Sequence, residues 1–179
     1  MNLKLAYLSL GSNLGNRQTN IQSALNQIDK RLGDVISISK LYENPSIGFK
    51  GDMFYNCCIG LKTILSPKEL LNELLVIEKE GGRIRKIHKG YFSRTIDIDV
   101  LFYENQIINS KELKIPHPKL HKREFVIKPL LDIAKGKIHP LFKKSILEIG
   151  EDLEDFSDVV ELKTKLYNPV FNSLIDYDN

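Results

Sequence analysis

The sequence predicts an α+β fold, a ferredoxin-like β-α-β-β-α-β core whose antiparallel sheet carries helices on both faces in three α-β-α layers. Three observations predict it. β-branched or alternating runs stand at residues 4–10, 35–42, 53–63 and from the mid-nineties to 103. Two stretches with apolar residues at helical spacing fall between them in the order that split βαβ units require. No proline- or glycine-rich linker, repeat or low-complexity segment divides the chain. At 179 residues the chain suits one domain with a sizeable core.

The elements follow in order. Residues 4–10 read as a strand stopped by the turn signal Gly11-Ser12-Asn13. Residues 16–32 read as a helix: Ile21, Leu25, Ile28 and Leu32 share one face, and Gly33 is a natural stop. Alternation over 35–42 predicts a second strand, the Pro45, Gly48 and Gly51 segment a long loop, and residues 53–63 a third strand. Ser66, Pro67 and Glu69 have the spacing of an N-cap, a first-turn proline and a capping box. Leu70, Leu71, Leu74, Leu75 and Ile77 supply the buried stripe of that helix, which ends at Gly81-Gly82. The last core strand is in "SRTIDIDVLFY", residues 93–103. From about residue 106 a hairpin and further helices are expected to cover the sheet's other face. Residues 1–150 are read as one domain and 151–179 as a loosely attached acidic extension, not a separate domain.

Composition narrows the function. The chain is 42% apolar and 27% charged, ordinary for a globular protein. No run approaches the ~18 apolar residues of a membrane span. The start reads as a strand rather than a signal peptide. Cys57 and Cys58 are neighbours, would point to opposite faces of a strand, and are read as reduced thiols. A cytoplasmic monomer is the expectation. The net charge of +3 is unevenly spread: residues 79–94 hold six Lys or Arg against one Glu, and residues 151–179 eight acids against two lysines. From charge alone, a polyanionic ligand held with a metal and a merely solvated loop and tail are both open.

The acid pair in the last strand carries the chemistry. Side chains in a strand alternate, so Asp97 and Asp99 share one face while Ile96, Ile98 and Val100 take the other. The two α-carbons would lie about 6.6–7 Å apart, and a hard divalent cation would relieve the repulsion of the carboxylates. The alternative is that the acids pair with Arg83, Arg85 or Arg94 as structure. Several arginines just ahead of the pair suit a metal–nucleotide site. No G-x-x-x-x-G-K-[ST] occurs, which excludes a P-loop enzyme. An RNA-binding sheet would need an aromatic sheet motif that is absent. A metal-dependent nuclease or nucleotidyl transferase stays open on the acid pair alone.

Six segments in order add a resemblance: "LSLGSNLGNR" (8–17), "YENPSIG" (42–48), "FYNCC" (54–58), "IEKEGGRIRK" (77–86), "RTIDIDVLFY" (94–103) and "IPHPKLHKREFVIKPLLDIA" (115–134). Together they resemble the 6-hydroxymethyl-7,8-dihydropterin pyrophosphokinases of folate biosynthesis. The resemblance implies Mg²⁺-dependent transfer of pyrophosphate from ATP to the hydroxymethyl group of the pterin, with AMP released and no nucleic acid or membrane partner. It implies that Asp97 and Asp99 hold two Mg²⁺ ions, and that Arg83 and Arg94 contact phosphates and act in catalysis. Glu78, Arg85, Ile98, His117 and Arg123 fall at nucleotide-binding positions. Lys86 is a further basic position of the same loop, with Gly81, Gly82 and Gly90 permitting its motion. Asn56 would read the pterin edge and Phe54 and Phe125 stack on its two sides. Asn44, Pro45 and Ile47 would line the pterin pocket, with Asp97 beside it. Asn13 is read as a turn residue supporting the site. The hydroxyl proton would go to Asp97 or water. The chain departs from the resemblance at "YFSR" before the acid pair, where Tyr91 or Phe92 replaces a tryptophan lid, at Lys114 and beyond residue 150, where no role is expected.

Overall fold

The computed structural model describes residues 2–83, 92–153, 155–168 and 173–174. The core elements are β1 (Lys4–Ser12), α1 (Arg17–Leu32), β2 (Asp34–Ile38), β3 (Tyr42–Asn44), β4 (Phe54–Thr63), α2 (Pro67–Glu80) and β5 (Asp97–Tyr103). β6 (Ile108–Asn109), β7 (Lys114–Ile115), α3 (Glu124–Ala134), α4 (Ile146–Glu151), β8 (Val160–Glu161), β9 (Tyr167–Asn168) and β10 (Ser173–Leu174) follow.

The local signals explain the elements. Asn16 caps α1 by accepting from the Thr19 N–H at 3.1 Å. Ser66 and Glu69 form the reciprocal capping box of α2. The predicted strand 35–42 is two pieces. β2 and β3 both pair with β4, and between them Ser39 leaves the regular ladder: its Oγ accepts from the Cys58 N–H at 2.9 Å. A serine hydroxyl there competes with the backbone acceptor and breaks the strand.

The sheet runs β5-β1-β4-β3-β8, with β2 also on β4, and its pairings are antiparallel. α1 and α2 cover one face over a core that includes Leu8, Leu25, Ile28, Leu74, Ile98 and Val100. α3 and α4 cover the other over Leu101, Phe102, Leu130 and Ile149. The three-layer expectation holds. In β5 the register slips opposite Tyr7/Leu8. That bulge resets the alternation, so both Leu101 and Phe102 join the α3 side. Asp97 and Asp99 precede the bulge on that same side.

The described part of the extension packs on the sheet rather than standing loose. β8 pairs with β3, Tyr42 opposite Glu161 and Glu43 opposite Val160. Val159 and Leu166 are buried. Gln22 bonds both the N–H and the carbonyl of Tyr167. An exposed sheet edge offers unpaired backbone groups, and this segment covers them. Among the described residues no helix is long and apolar enough to cross a membrane.

Candidate active site

Antiparallel partners share a face, so register places the site. Asp97 lies opposite Gly11, Gly11 opposite Asn56, and Asn56 opposite Tyr42. The next row sets Asp99 opposite Ser9 and Ser9 opposite Cys58. Over these rows opens a cleft of about 470 Å³. Gly11 is part of its floor: a Cβ there would stand 2.7 Å from Asn56 Oδ1. On the β4–β3 side the lining is amide and aromatic, with Asn44, Pro45, Ile47, Phe49, Phe54, Asn56 and Phe125. On the β5 side it is charged, with Arg94, Asp97, Asp99, Lys119, Lys122 and Arg123.

The neutral side is already satisfied. Asn56 Nδ2 donates to Asn44 Oδ1 at 2.5 Å, and Asn44 Nδ2 to the Pro45 carbonyl at 2.8 Å. Both asparagines are buried. Phe49 meets Phe54 edge to face with ring centroids 6.3 Å apart. Asn13, also buried, fixes the approach to β5. Its Oδ1 accepts from the Arg94 N–H at 2.7 Å and its Nδ2 reaches the Ser93 hydroxyl at 3.1 Å.

The expectation that Asp97 and Asp99 lean together onto shared ions meets a different arrangement. Asp97 Oδ1 pairs with Arg83 and its Oδ2 with Arg94 Nη1 at 2.6 Å. Asp99 instead faces Arg123 Nη1 at 3.5 Å and His117 Nε2 at 3.9 Å. Like charges one residue apart repel, and each carboxylate takes the cations nearest to it. Among the described residues Asp99 has no cation closer than Arg123 Nη1 at 3.5 Å. Desolvation first, and then the Asp97 charge, push its pKa up to about 6, although 39% of its side chain opens to the cleft. Among the described residues no three His, Cys, Asp or Glu group to hold an ion. Mg²⁺ needs only one or two protein carboxylates when phosphate and water complete its shell. The open, charge-raised Asp99 fits that donor pattern, and Asp97 fits once its arginines turn to another anion.

Three of the predicted nucleotide contacts, Glu78, Ile98 and His117, are not among the residues lining the cleft. Glu78 is 2% exposed, pairs with Arg83, and accepts from the Ile98 N–H at 2.8 Å. It therefore ties α2 to β5 from behind, because the buried stripe of α2 runs Leu70, Leu74, Ile77 and on to Glu78. The Ile98 side chain is in the α1–α2 core, so only its backbone is near the site. His117 is adjacent to Asp99. Its Nδ1 accepts from the Lys119 N–H at 3.3 Å, which leaves Nε2 as the donor nitrogen. Burial, then Arg123, lower its pKa to about 4, so the ring is neutral at pH 7. Arg85, Lys86, Gly90 and Tyr91 lie outside the described residues. Phe92 is described and 37% exposed, and it is not among the residues lining the cleft.

Sequence reasoning missed Ser9, Gly11, Phe49, Lys119, His121 and Lys122, all of which line the cleft. The signal for Gly11 and Ser9 was available, since "LSLGSN" is opposite the acid strand once pairing is known. Among the described residues His121 Nδ1 is buried with no hydrogen-bond partner, although the residue falls within the segment 115–134 that carries the resemblance.

The family model for 7,8-dihydro-6-hydroxymethylpterin-pyrophosphokinase (HPPK) matches residues 7–135. The chain is 41% identical over 143 residues to the 2-amino-4-hydroxy-6-hydroxymethyldihydropteridine pyrophosphokinase of Aquifex aeolicus, covering 79% of this chain and 88% of that one. It is 43% identical over 172 residues to the folic acid synthesis protein fol1 of Pneumocystis carinii, covering 96% of this chain but only 22% of that longer protein. The fold matches the HPPK-DHPS of Plasmodium falciparum with a TM-score of 0.72 at 18% identity, over 86% of this chain and 46% of that one. The likeness spans the sheet, the cleft-lining strands and the α3 approach, and the chain belongs to the 7,8-dihydro-6-hydroxymethylpterin-pyrophosphokinase family.

Proposed function

We propose that this chain transfers the pyrophosphoryl group of ATP to the hydroxymethyl group of 6-hydroxymethyl-7,8-dihydropterin, releasing AMP, with Mg²⁺ as cofactor. The single observation that carries this reading is one cleft with two chemistries. An amide–aromatic side suits a flat heterocycle, a cationic side suits a triphosphate, and an acid pair stands between them. Asn56 and Asn44 would exchange their mutual bond for the donor–acceptor edge of the pterin. Phe54 and Phe125 would flank its ring, with Pro45 and Ile47 closing the pocket. Arg94, Arg123, Lys119 and Lys122 would take phosphate oxygens, and Arg83 would follow when it leaves Asp97. The neutral His117 offers an Nε2–H to an oxygen beside Asp99 without adding charge.

Asp97 and Asp99 would hold the magnesium, two ions in the fullest reading. Bound there, the metal would draw off developing charge on the phosphoryl oxygens and acidify the attacking hydroxyl. The protein's own contribution is to align hydroxyl and phosphorus for in-line attack and to exclude water. Glu78 would act as a positioning residue, holding Arg83 and the β5 backbone. Two buried thiols, with Cys57 pushed up to about 12 by burial, support a reducing cytoplasmic setting.

Incubation with Mg²⁺, ATP and 6-hydroxymethyl-7,8-dihydropterin tests the reading. AMP in amounts equal to the pterin diphosphate, with no ADP or inorganic phosphate, is expected. ADP as the nucleotide product would overturn it.

A further inference from the structure

We infer that residues 155–162 of the C-terminal extension are a positioning element for the neutral wall of the cleft. The inference rests on the proposal that this wall receives the pterin. The segment lies beyond the family-matched residues 7–135, yet it is built into the site's support. β8 pairs with β3, and the Leu162 N–H donates to the Leu41 carbonyl at 2.8 Å. β3 ends at Asn44, the residue that accepts from Asn56.

A second cavity of about 210 Å³ lies behind the cleft, between the 44–47 loop and the extension. Asn44, Pro45, Ile47 and Phe125 line both spaces. They stand between the proposed pterin pocket and the extension. The other side of the second cavity is walled by Phe156 and Val159. Phe156 packs onto the α3-side core, with Lys128 Nζ 5.6 Å from its ring centroid. Val159 is 4% exposed. The wall follows β3, and β3 is held by its pairing with β8 and by the Leu162–Leu41 hydrogen bond. The extension therefore sets where Pro45, Ile47 and Phe125 stand, while among the described residues none of the charged residues lining the cleft lines the second cavity.

The test compares the full chain with Val159→Asp, which places a carboxylate where a buried valine docks, and with Leu162→Pro, which deletes the donor to Leu41. Amide hydrogen exchange over 41–47 should accelerate in both. Affinity for 6-hydroxymethylpterin should fall about tenfold while affinity for Mg²⁺ with α,β-methylene-ATP stays within about twofold. Unchanged exchange over 41–47 in both variants would overturn the inference, as would equal weakening of pterin and nucleotide, which marks a general loss of fold. Faster exchange in the variants of a wild-type chain that itself binds no 6-hydroxymethylpterin would uphold the brace and overturn the pterin assignment.

Discussion

Over β4 and β3 the cleft is lined by Phe54 and by Asn44 and Asn56, whose side chains bond each other. Over β5 it is lined by Asp97, Asp99, Arg94 and Arg123, whose charges are balanced by groups that a triphosphate would claim. The first side needs only to exchange one hydrogen bond for another when a ligand enters. The second must break ion pairs, and Asp97 must release two guanidiniums before it can meet a cation. Ion pairs in a half-buried site are exchanged only for partners of equal charge. Under the proposed function, the comparison teaches that recognition of the flat ring would be pre-organised, whereas the charged side would be rearranged by the nucleotide and metal it receives.

The largest effect should come from the charged side. Asp99→Ala is expected to lower kcat by about 10³-fold or more, the scale of losing a principal electrostatic contact. Its thermal midpoint should stay near that of wild type, because Asp99 makes no close hydrogen bond. A cooperative fold lost in the variant would reverse the contrast between the two sides. Arg94→Ala should cost about 2–4 kcal/mol in kcat/KM, again on the scale of one electrostatic donor. The backbone clasp of Arg94 to Asn13 does not depend on its side chain. An unchanged kcat/KM would remove Arg94 from phosphate contact.

On the neutral side, Asn56→Ala leaves Asn44 Oδ1 without its donor. It should raise the KM for pterin by about 10–100-fold, the worth of a lost buried hydrogen bond of about 1–3 kcal/mol. The KM for ATP should hardly move. Equal rises in both constants would erase the division of the cleft.

The smallest effect is a pH dependence. The folded pKa of Asp99 is raised to about 6, above the ~3.9 of an unfolded chain. The folded state thus binds more protons in that window, so this group's contribution to apoprotein stability falls as pH rises from about 4 to about 6. His117, lowered to about 4, has the opposite sign, so stability with respect to it is gained as pH rises from about 4 to about 6.5. Only the difference between wild type and Asp99→Asn isolates the carboxylate. The variant's melting temperature should gain on wild type between pH 4 and 7. Mg²⁺ titrated calorimetrically at pH 6 should release about half a proton, and almost none at pH 8.

Much of the molecule was legible along the chain. The caps at Asn16 and Ser66, the stripes of α1 and α2, and the shared face of Asp97 and Asp99 are local patterns. Local patterns survive into the fold because capping and side-chain periodicity act within a few residues. The break at Ser39 was not legible, because it depends on a hydroxyl meeting the Cys58 N–H across the sheet. Nor was the inward turn of Glu78. The resemblance puts it at a nucleotide-binding position, whereas in the fold Arg83 and the Ile98 N–H partner the buried carboxylate. The extension read as a solvated tail because its charge is local and its pairing with β3 is not.

By itself the sequence determined the order of elements, the acid pair on one face and the amide and aromatic residues that accompany it. Only the tertiary structure decided which cations each acid faces, that Gly11 leaves the floor open between Asp97 and Asn56, and that the acidic extension stands behind the 44–47 loop. The reason is range. Periodicity and capping are set by neighbours along the backbone, whereas ion pairing, void and edge pairing are set by whichever groups the sheet register brings together from far apart in the chain.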